Sequence, residues 1–264
     1  MSDFDINKSY YFGDFLPNLL KLGIKPTQFQ LNSIVRFFEL LIKENKLFNL
    51  TSIVEWDDFL FRHILDSACL NLVFSSDFSK GSVLDIGSGA GIPGIPIKFF
   101  NPDLTVQMMD ATKKKIGFID KVISQLGLTD TYSHHGRAEE LGHHSGFRGQ
   151  FDYVTARAVA ELPTLLELML PFVKQGGYAV AMKGETVNQE IQKSTKALHE
   201  LGGKIINIID PSEFIQNYPG FLVVIEKISE TPTRYPRRNG VPVKSPLIWC
   251  EDRFENIESL DFLD

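Results

Sequence analysis

Cysteine is nearly absent: Cys69 and Cys250 are the only two in 264 residues. Two cysteines so far apart make neither a disulfide framework nor a metal-ligand pair, which fits a reducing, cytoplasmic setting. Long apolar runs are missing as well. None approaches the roughly 18 residues a membrane helix needs, because Lys, Asp, Pro or Gly interrupts each one, and no membrane partner is expected. The opening stretch MSDFDINKSYYFG has neither a basic region nor an apolar core, so no secretory leader is expected. Low-complexity tracts and internal repeats are absent. Positive charge is in deficit, with 27 Lys and Arg against 33 Asp and Glu and a formal net charge of −6. That balance speaks against a surface that grips nucleic acid by overall charge alone.

The deficit is uneven. Lys227, Arg234, Arg237, Arg238 and Lys244 crowd residues 227–246 against Glu230 alone, whereas Arg253 is the single base among six acids after Leu247. A basic segment beside an acidic tail lets local binding survive a negative average. The apolar content of 43% suits one large or two small domains with a substantial core. Residues 8–74 read as helices. Phe29, Ile34, Phe37, Phe38, Leu41 and Ile42 recur near helical spacing behind Thr27, a fitting N-cap after Pro26. A second amphipathic run, Phe59 to Phe74, follows a break at Asn49-Leu50-Thr51, and SSDFSKG from Ser75 reads as a linker.

From Ser82 the rhythm changes to short β-prone runs alternating with helical ones. Strands are predicted at Val83–Ile86, Leu104–Met109, before Gly136, at Phe151–Thr155 and at Tyr178–Met182. Helices are predicted from near Pro93, over Lys113–Leu126, Leu162–Leu170 and Val187–Leu201. Two final strands, Lys204–Ile209 and Phe221–Ile225, lack a helix between them. Alternation of this kind implies an α/β, doubly wound, Rossmann-like parallel sheet, here closed by an antiparallel edge hairpin, with ligands at the strands' carboxyl ends. The expected organisation is therefore a helical region over 1–78, the α/β domain over 79–228, and a basic then acidic extension over 229–264.

The chemistry begins at LDIGSGAGIPG from Leu84, where an apolar strand runs into Gly87, Gly89 and Gly91 and a proline follows at the start of a helix. Closely spaced glycines let the chain turn sharply and bring backbone near a ligand. Two ligand classes compete. Gly89-x-Gly91-x-x-Gly94 matches the dinucleotide fingerprint, with Asp110 near the distance expected of a ribose-binding acid. Asp85, two residues before Gly87, tips the choice. A carboxylate there repels a pyrophosphate but suits the cationic amino-acid end of S-adenosylmethionine, with Asp110 accepting from the ribose hydroxyls. The sequence therefore favours an S-adenosylmethionine-dependent methyltransferase over an NAD(P) oxidoreductase. The methyl acceptor, whether RNA, protein or a small molecule, stays open at this point.

Farther on, Ala138 and Glu139 in Gly136-Arg137-Ala138-Glu139-Glu140 either frame an adenine or open an exposed helix. Arg157, at the end of the fourth strand, either holds an anion bidentately or serves a structural salt bridge. The adjacent pairs His134-His135 and His143-His144 invite a metal reading, but neighbours on a strand face opposite ways and no cysteine joins them, so no metal is assigned.

Taken together, the ordered motifs resemble the bacterial small-subunit (16S) ribosomal RNA guanine-N7 methyltransferases, the glucose-inhibited division protein B family, from about Leu47 to Leu247. The markers are Asn49-Leu50-Thr51, His63-Ile64-Leu65-Asp66-Ser67, LDIGSGAGIPGIP from Leu84, and Asp110 with Lys113 to Lys115. GRAEEL from Gly136, ARAVAEL from Ala156, LPFVKQGGYAVAMKG from Leu170 and RYPRRNGVPVKSPL from Arg234 complete the set. The resemblance implies cofactor contacts at Gly87, Ile92, Ala138, Glu139 and Arg157, which join Asp85, Gly89, Gly91 and Asp110. Ala111-Thr112, Gly117 and Ala156 depart from the family's usual residues, and the acidic tail looks like an extension.

Guanine N7 has a lone pair and no proton, so this reaction needs positioning and no general acid or base. No side chain is assigned such a role, and no histidine-dependent acid limb is expected near pH 6.5. His63 is expected to pack the helical region onto the catalytic domain. RNA contact is expected at Lys113, Lys114, Lys115, Arg234, Arg237, Arg238 and Lys244, unless these form only a solvated charged face. Reversing Arg237 and Arg238 to Glu is then expected to weaken RNA use and spare cofactor affinity. The implied partner is 16S ribosomal RNA, free or within the 30S subunit, bound by a monomer.

Overall fold

A computed structural model describes residues 12–74, 81–216 and 218–249. The reading of the N-terminal stretch, most of the Ser75 linker and the acidic tail from residue 250 lie outside the described residues. Seven strands form one sheet in the order β3-β2-β1-β4-β5-β7-β6. They are β1 (Ser82–Ile86), β2 (Thr105–Asp110), β3 (Thr131–His135), β4 (Phe151–Arg157), β5 (Val173–Lys183), β6 (Gly203–Ile209) and β7 (Phe221–Lys227). The first five run parallel, whereas β7 pairs antiparallel with both β5 and β6, which makes the closing hairpin.

Side-chain alternation along each strand splits the core into two layers. Val83 and Tyr153 join the cluster that holds the N-terminal helices, while Leu84, Ile86 and Val154 join the cluster under the helix Leu162–Met169. The strand order reverses at β1 and β4, so their carboxyl ends open onto the crevice where ligands sit in sheets of this kind.

Thr27 caps the helix Gln28–Asn45 as its sequence predicts: its hydroxyl accepts the Gln30 N–H, and the Gln30 side chain accepts the Thr27 N–H at 2.7 Å. Ile34, Phe37 and Leu41 are buried on the face toward the sheet, but Phe29 is 72% exposed. It lies in the first turn, off the buried stripe. The second helical run is irregular. It passes from Trp56–Phe59 through a π-helical turn, Leu60–Leu65, to Asp66–Ala68 and a 3₁₀ turn, Cys69–Leu72. Such wide turns often mark functional sites, and this one carries Arg62 and His63.

The helix expected over Val187–Leu201 is two helices, Val187–Lys193 and Thr195–Leu201. Buried Ser194 lies between them and returns its hydroxyl to the Glu190 carbonyl at 2.7 Å. That backward bond bends a helix and explains the break. Beyond β7, residues 228–249 run as a strap over the helices Thr195–Leu201 and Leu162–Met169. Arg148 fastens it by donating to the carbonyls of Thr231, Pro232 and Tyr235 at 2.6, 3.1 and 2.7 Å. Among the described residues no helix is long and apolar enough to cross a membrane.

Candidate active site

The loop after β1 is pinned before any ligand is considered. Gly87 and Ser88 donate their N–H groups to the Met109 carbonyl, and Gly89 donates to Asp110 Oδ2 at 3.0 Å. The other Asp110 oxygen takes the Thr112 N–H at 2.8 Å. Each carboxylate oxygen has a second lone pair, so Asp110 can hold the loop and still accept from a ligand. Lys115 lies 3.7 Å from Asp110. Gly87 has a φ of +69°, and a Cβ there would come 2.8 Å from Val159 Cγ2. Both the turn and the close approach require glycine.

Asp85 sits beneath this loop and is fully buried. Its Oδ2 accepts the Gly94 N–H at 3.0 Å, but Oδ1 is buried with no hydrogen-bond partner. Burial raises its carboxyl from the usual acid range to about 7, although the Ser88 and Gly94 bonds oppose the shift. An orphaned carboxylate oxygen behind a glycine loop has the chemistry a cationic group would satisfy.

Two cavities adjoin at the end of β4. The smaller, about 200 Å³, is bordered by Gly87, Asp110, Ala138, Glu139, Val159 and Val243. The larger, about 510 Å³, is bordered by Arg62, His63, Asp66, Arg157, Lys183 and Tyr218. Ala158 touches the larger and Val159 the smaller, so the residues following Arg157 divide them. Ala158 holds a φ of +55°, a strained turn for a residue with a Cβ and one that marks this junction.

The structure thus gathers Gly87, Asp110, Ala138 and Glu139 around one space. Asp85, Gly89, Gly91 and Ile92 shape the loop and border neither cavity. Arg157 faces the other space and is engaged by the helical region. It donates to Asp66 Oδ2 and the Arg62 carbonyl, both at 2.7 Å, and lies 3.0 Å from His63 Nδ1. His63 reaches Thr51 at 3.0 Å through its other nitrogen, and Tyr218 hydrogen-bonds the remaining Asp66 oxygen. Burial and the Arg157 charge push the His63 imidazole down to about 4, so it stays neutral across the physiological range. Burial and the neighbouring Asp66 likewise hold the Tyr218 phenol well above its usual range. Asp66 and Tyr218 were not singled out from sequence. Asp66 lies inside the His63–Ser67 motif, but nothing local marks Tyr218, which arrives from the β6–β7 connection.

The basic candidates divide in two. Lys113, Lys114, Arg238 and Lys244 are exposed, and Arg234 is exposed with its guanidinium over the Tyr235 ring. Arg237 is committed elsewhere. Its Nε and Nη2 grip the fully buried carboxylate of Glu167 at 2.9 and 2.6 Å, and Nη2 also donates to the Ser245 carbonyl. Charge reversal at Arg237 would set two acids against each other in the core, so Arg238 is the position that probes RNA. Among the described residues, no group of three potential metal ligands comes together. His134, His135 and His143 each meet Gln107, the Ala111 carbonyl or the Pro236 carbonyl instead.

Residues 30–212 match the GidB family, described as rRNA small subunit methyltransferase G. The chain belongs to that family. It is 40% identical over 228 residues to the ribosomal RNA small subunit methyltransferase G of Alkaliphilus metalliredigens, covering 86% of this chain and 95% of the relative. The protein of the same name from Desulforamulus reducens is 40% identical over 234 residues, covering 86% of this chain and 97% of that one. That from Lachnoclostridium phytofermentans is 41% identical over 235 residues, with 89% and 96% covered. Membership in the GidB family favours the methyltransferase reading of the glycine loop over the dinucleotide one.

Proposed function

We propose that this protein transfers a methyl group from S-adenosylmethionine to N7 of a guanine in 16S ribosomal RNA, acting as a monomer in the cytoplasm. The observation that carries the reading is the pair of adjoining cavities at the end of β4, with glycine-loop and ribose-type acceptor groups around one and a polar chamber around the other. The cofactor supplies an electrophilic methyl group on a sulfonium sulfur. Asp85 balances its cationic amino-acid end, Asp110 accepts from the ribose, and Ala138 and Glu139 border the adenine. Arg157, held by Asp66 and His63, positions the acceptor side of the junction. Guanine N7 has a free lone pair and no proton, so these residues would need only to align it with the methyl carbon and exclude water, the C–S bonding pair leaving with sulfur as S-adenosylhomocysteine.

Methyl-labelled S-adenosylmethionine incubated with unmodified 16S RNA, free and within 30S subunits, is expected to label a guanine at N7. Absence of label on both substrates, with cofactor binding intact, would return the acceptor to a protein or small molecule. At saturating cofactor, single-turnover rates are expected to show no acid limb that vanishes when one histidine is replaced, since His63 titrates only near 4. Loss of such a limb in any single histidine variant would overturn the positioning mechanism.

RNA is gripped by Lys113, Lys114, Arg234, Arg238 and Lys244, with Lys115 tied more closely to Asp110. Combining Lys114→Glu with Arg238→Glu is expected to raise the RNA concentration needed for half-maximal methylation on the order of tenfold, more at low salt, with cofactor affinity unchanged. An unaltered RNA requirement would mean these cations form only a solvated face.

A further inference from the structure

Val243 lies in the short helix Val241–Lys244 on the strap and is 65% exposed. Its place is fixed by the contacts around it. The Gly240 N–H donates to Glu139 Oε1 at 3.2 Å, the Thr164 hydroxyl donates to the Pro242 carbonyl at 3.1 Å, and Arg237 locks onto Glu167. These contacts set Val243 against the 200 Å³ cavity, beside Gly87, Asp110 and Glu139. Val159, 36% exposed, borders the same space from the end of β4. Two branched aliphatic side chains, one from the turn after β4 and one from the strap, thus leave apolar surface facing a cavity whose wall also carries Ile86, Met109 and Leu168, with Asp110, Arg137 and Glu139 as its charged groups.

We propose that Val243 is a cofactor-binding residue, and that the strap is the roof of the site that takes the adenosyl group of S-adenosylmethionine. The proposal rests on the cofactor reading above and adds to it a wall drawn from outside the α/β sheet. A flat, weakly polar purine is the occupant that gains from both aliphatic contacts, while Asp110 serves its ribose. Glu139 has a double part: it borders the cavity and holds the strap by the Gly240 N–H, so the floor and the roof share one side chain.

Calorimetric titration of the full chain with S-adenosylhomocysteine tests this. Val243→Ser is expected to weaken binding about tenfold, since it removes apolar contact area from the ligand, while Val243→Ile keeps it within about twofold. The melting temperature of the unliganded protein should stay the same, because Val243 is largely exposed. The ¹³C methyl resonances of Val243 in the unaltered protein should shift on adding the ligand, through the ring current of the purine, and this holds however the variants fold. Unchanged affinity in Val243→Ser with unmoved methyl resonances overturns the proposal. So does a loss confined to RNA affinity, which would make Val243 a contact for an RNA base. Failure of the unaltered protein to bind S-adenosylhomocysteine at all would overturn the cofactor reading first, and this proposal with it.

Discussion

Replacing Asp85 by Asn is expected to weaken S-adenosylmethionine binding on the order of a hundredfold to a thousandfold, the cost of leaving one partner of a desolvated ion pair alone. The amide keeps an oxygen for the Gly94 N–H, so the glycine loop and the helix behind it keep their anchor. The two effects of the carboxylate separate with pH. Its pKa in the fold, about 7, lies above its ordinary value of 3.8. The contribution of Asp85 to the stability of the unliganded protein is therefore fully present below about 4 and is lost as pH rises through 7. Cofactor affinity runs the other way and falls in acid as the carboxyl takes up its proton. Thermal melts from roughly pH 5 to 8 should slope downward for the native sequence and be flatter for Asp85→Asn. Titrations over the same range should show affinity rising with pH in the native protein alone. An Asn variant that binds within about threefold of the native protein would remove Asp85 from the cofactor's partners.

Arg237→Ala is expected to destabilise the protein by about 3–5 kcal/mol, read as a shift in the denaturant midpoint. Glu167 is fully buried, and it accepts the Arg237 main-chain N–H at 2.7 Å as well as the guanidinium. Removing the side chain strands a carboxylate among the leucines of Leu162–Met169. Replacing both residues together, Glu167→Met with Arg237→Met, should cost far less, because no charge is left buried. A single Ala variant within about 1 kcal/mol of the native protein would show that the pair contributes little to the strap's attachment.

The pattern of β-prone runs and intervening helices was enough to place the parallel sheet and its closing hairpin, because strand alternation and helical periodicity are local properties. Thr27 was legible as a cap for the same reason. The Val187–Leu201 break was not, since its cause is the hydroxyl of Ser194, which could equally have faced solvent. The glycine loop gave the expectation of a cofactor site through its spacing, and the charge of Asp85 gave the choice between cofactors. What spacing could not convey was which long-range partner each charged residue takes. Arg237 and Arg238 are neighbours in one basic run, yet one is drawn into the core by Glu167 and the other is left outside. A clue was present: Glu167 is the lone acid in the apolar helix LPTLLELM, and a buried acid demands a partner. Arg157 likewise kept both of its readings until Asp66, some 90 residues earlier, was seen beside it.

Arg148 holds the strap through the carbonyls of Thr231, Pro232 and Tyr235, and holds its own loop through that of Gly142. Every residue has a carbonyl, so these bonds specify a path for the chain and demand little of the side chains along it. The fastening is thus insulated from mutation at most strap positions. Selection can exchange the outward residues between Thr231 and Lys244, one by one, without detaching the segment. Under the RNA contacts proposed for Arg234, Arg238 and Lys244, a surface mounted in this way is free to follow changes in the RNA, while the sheet beneath keeps its shape.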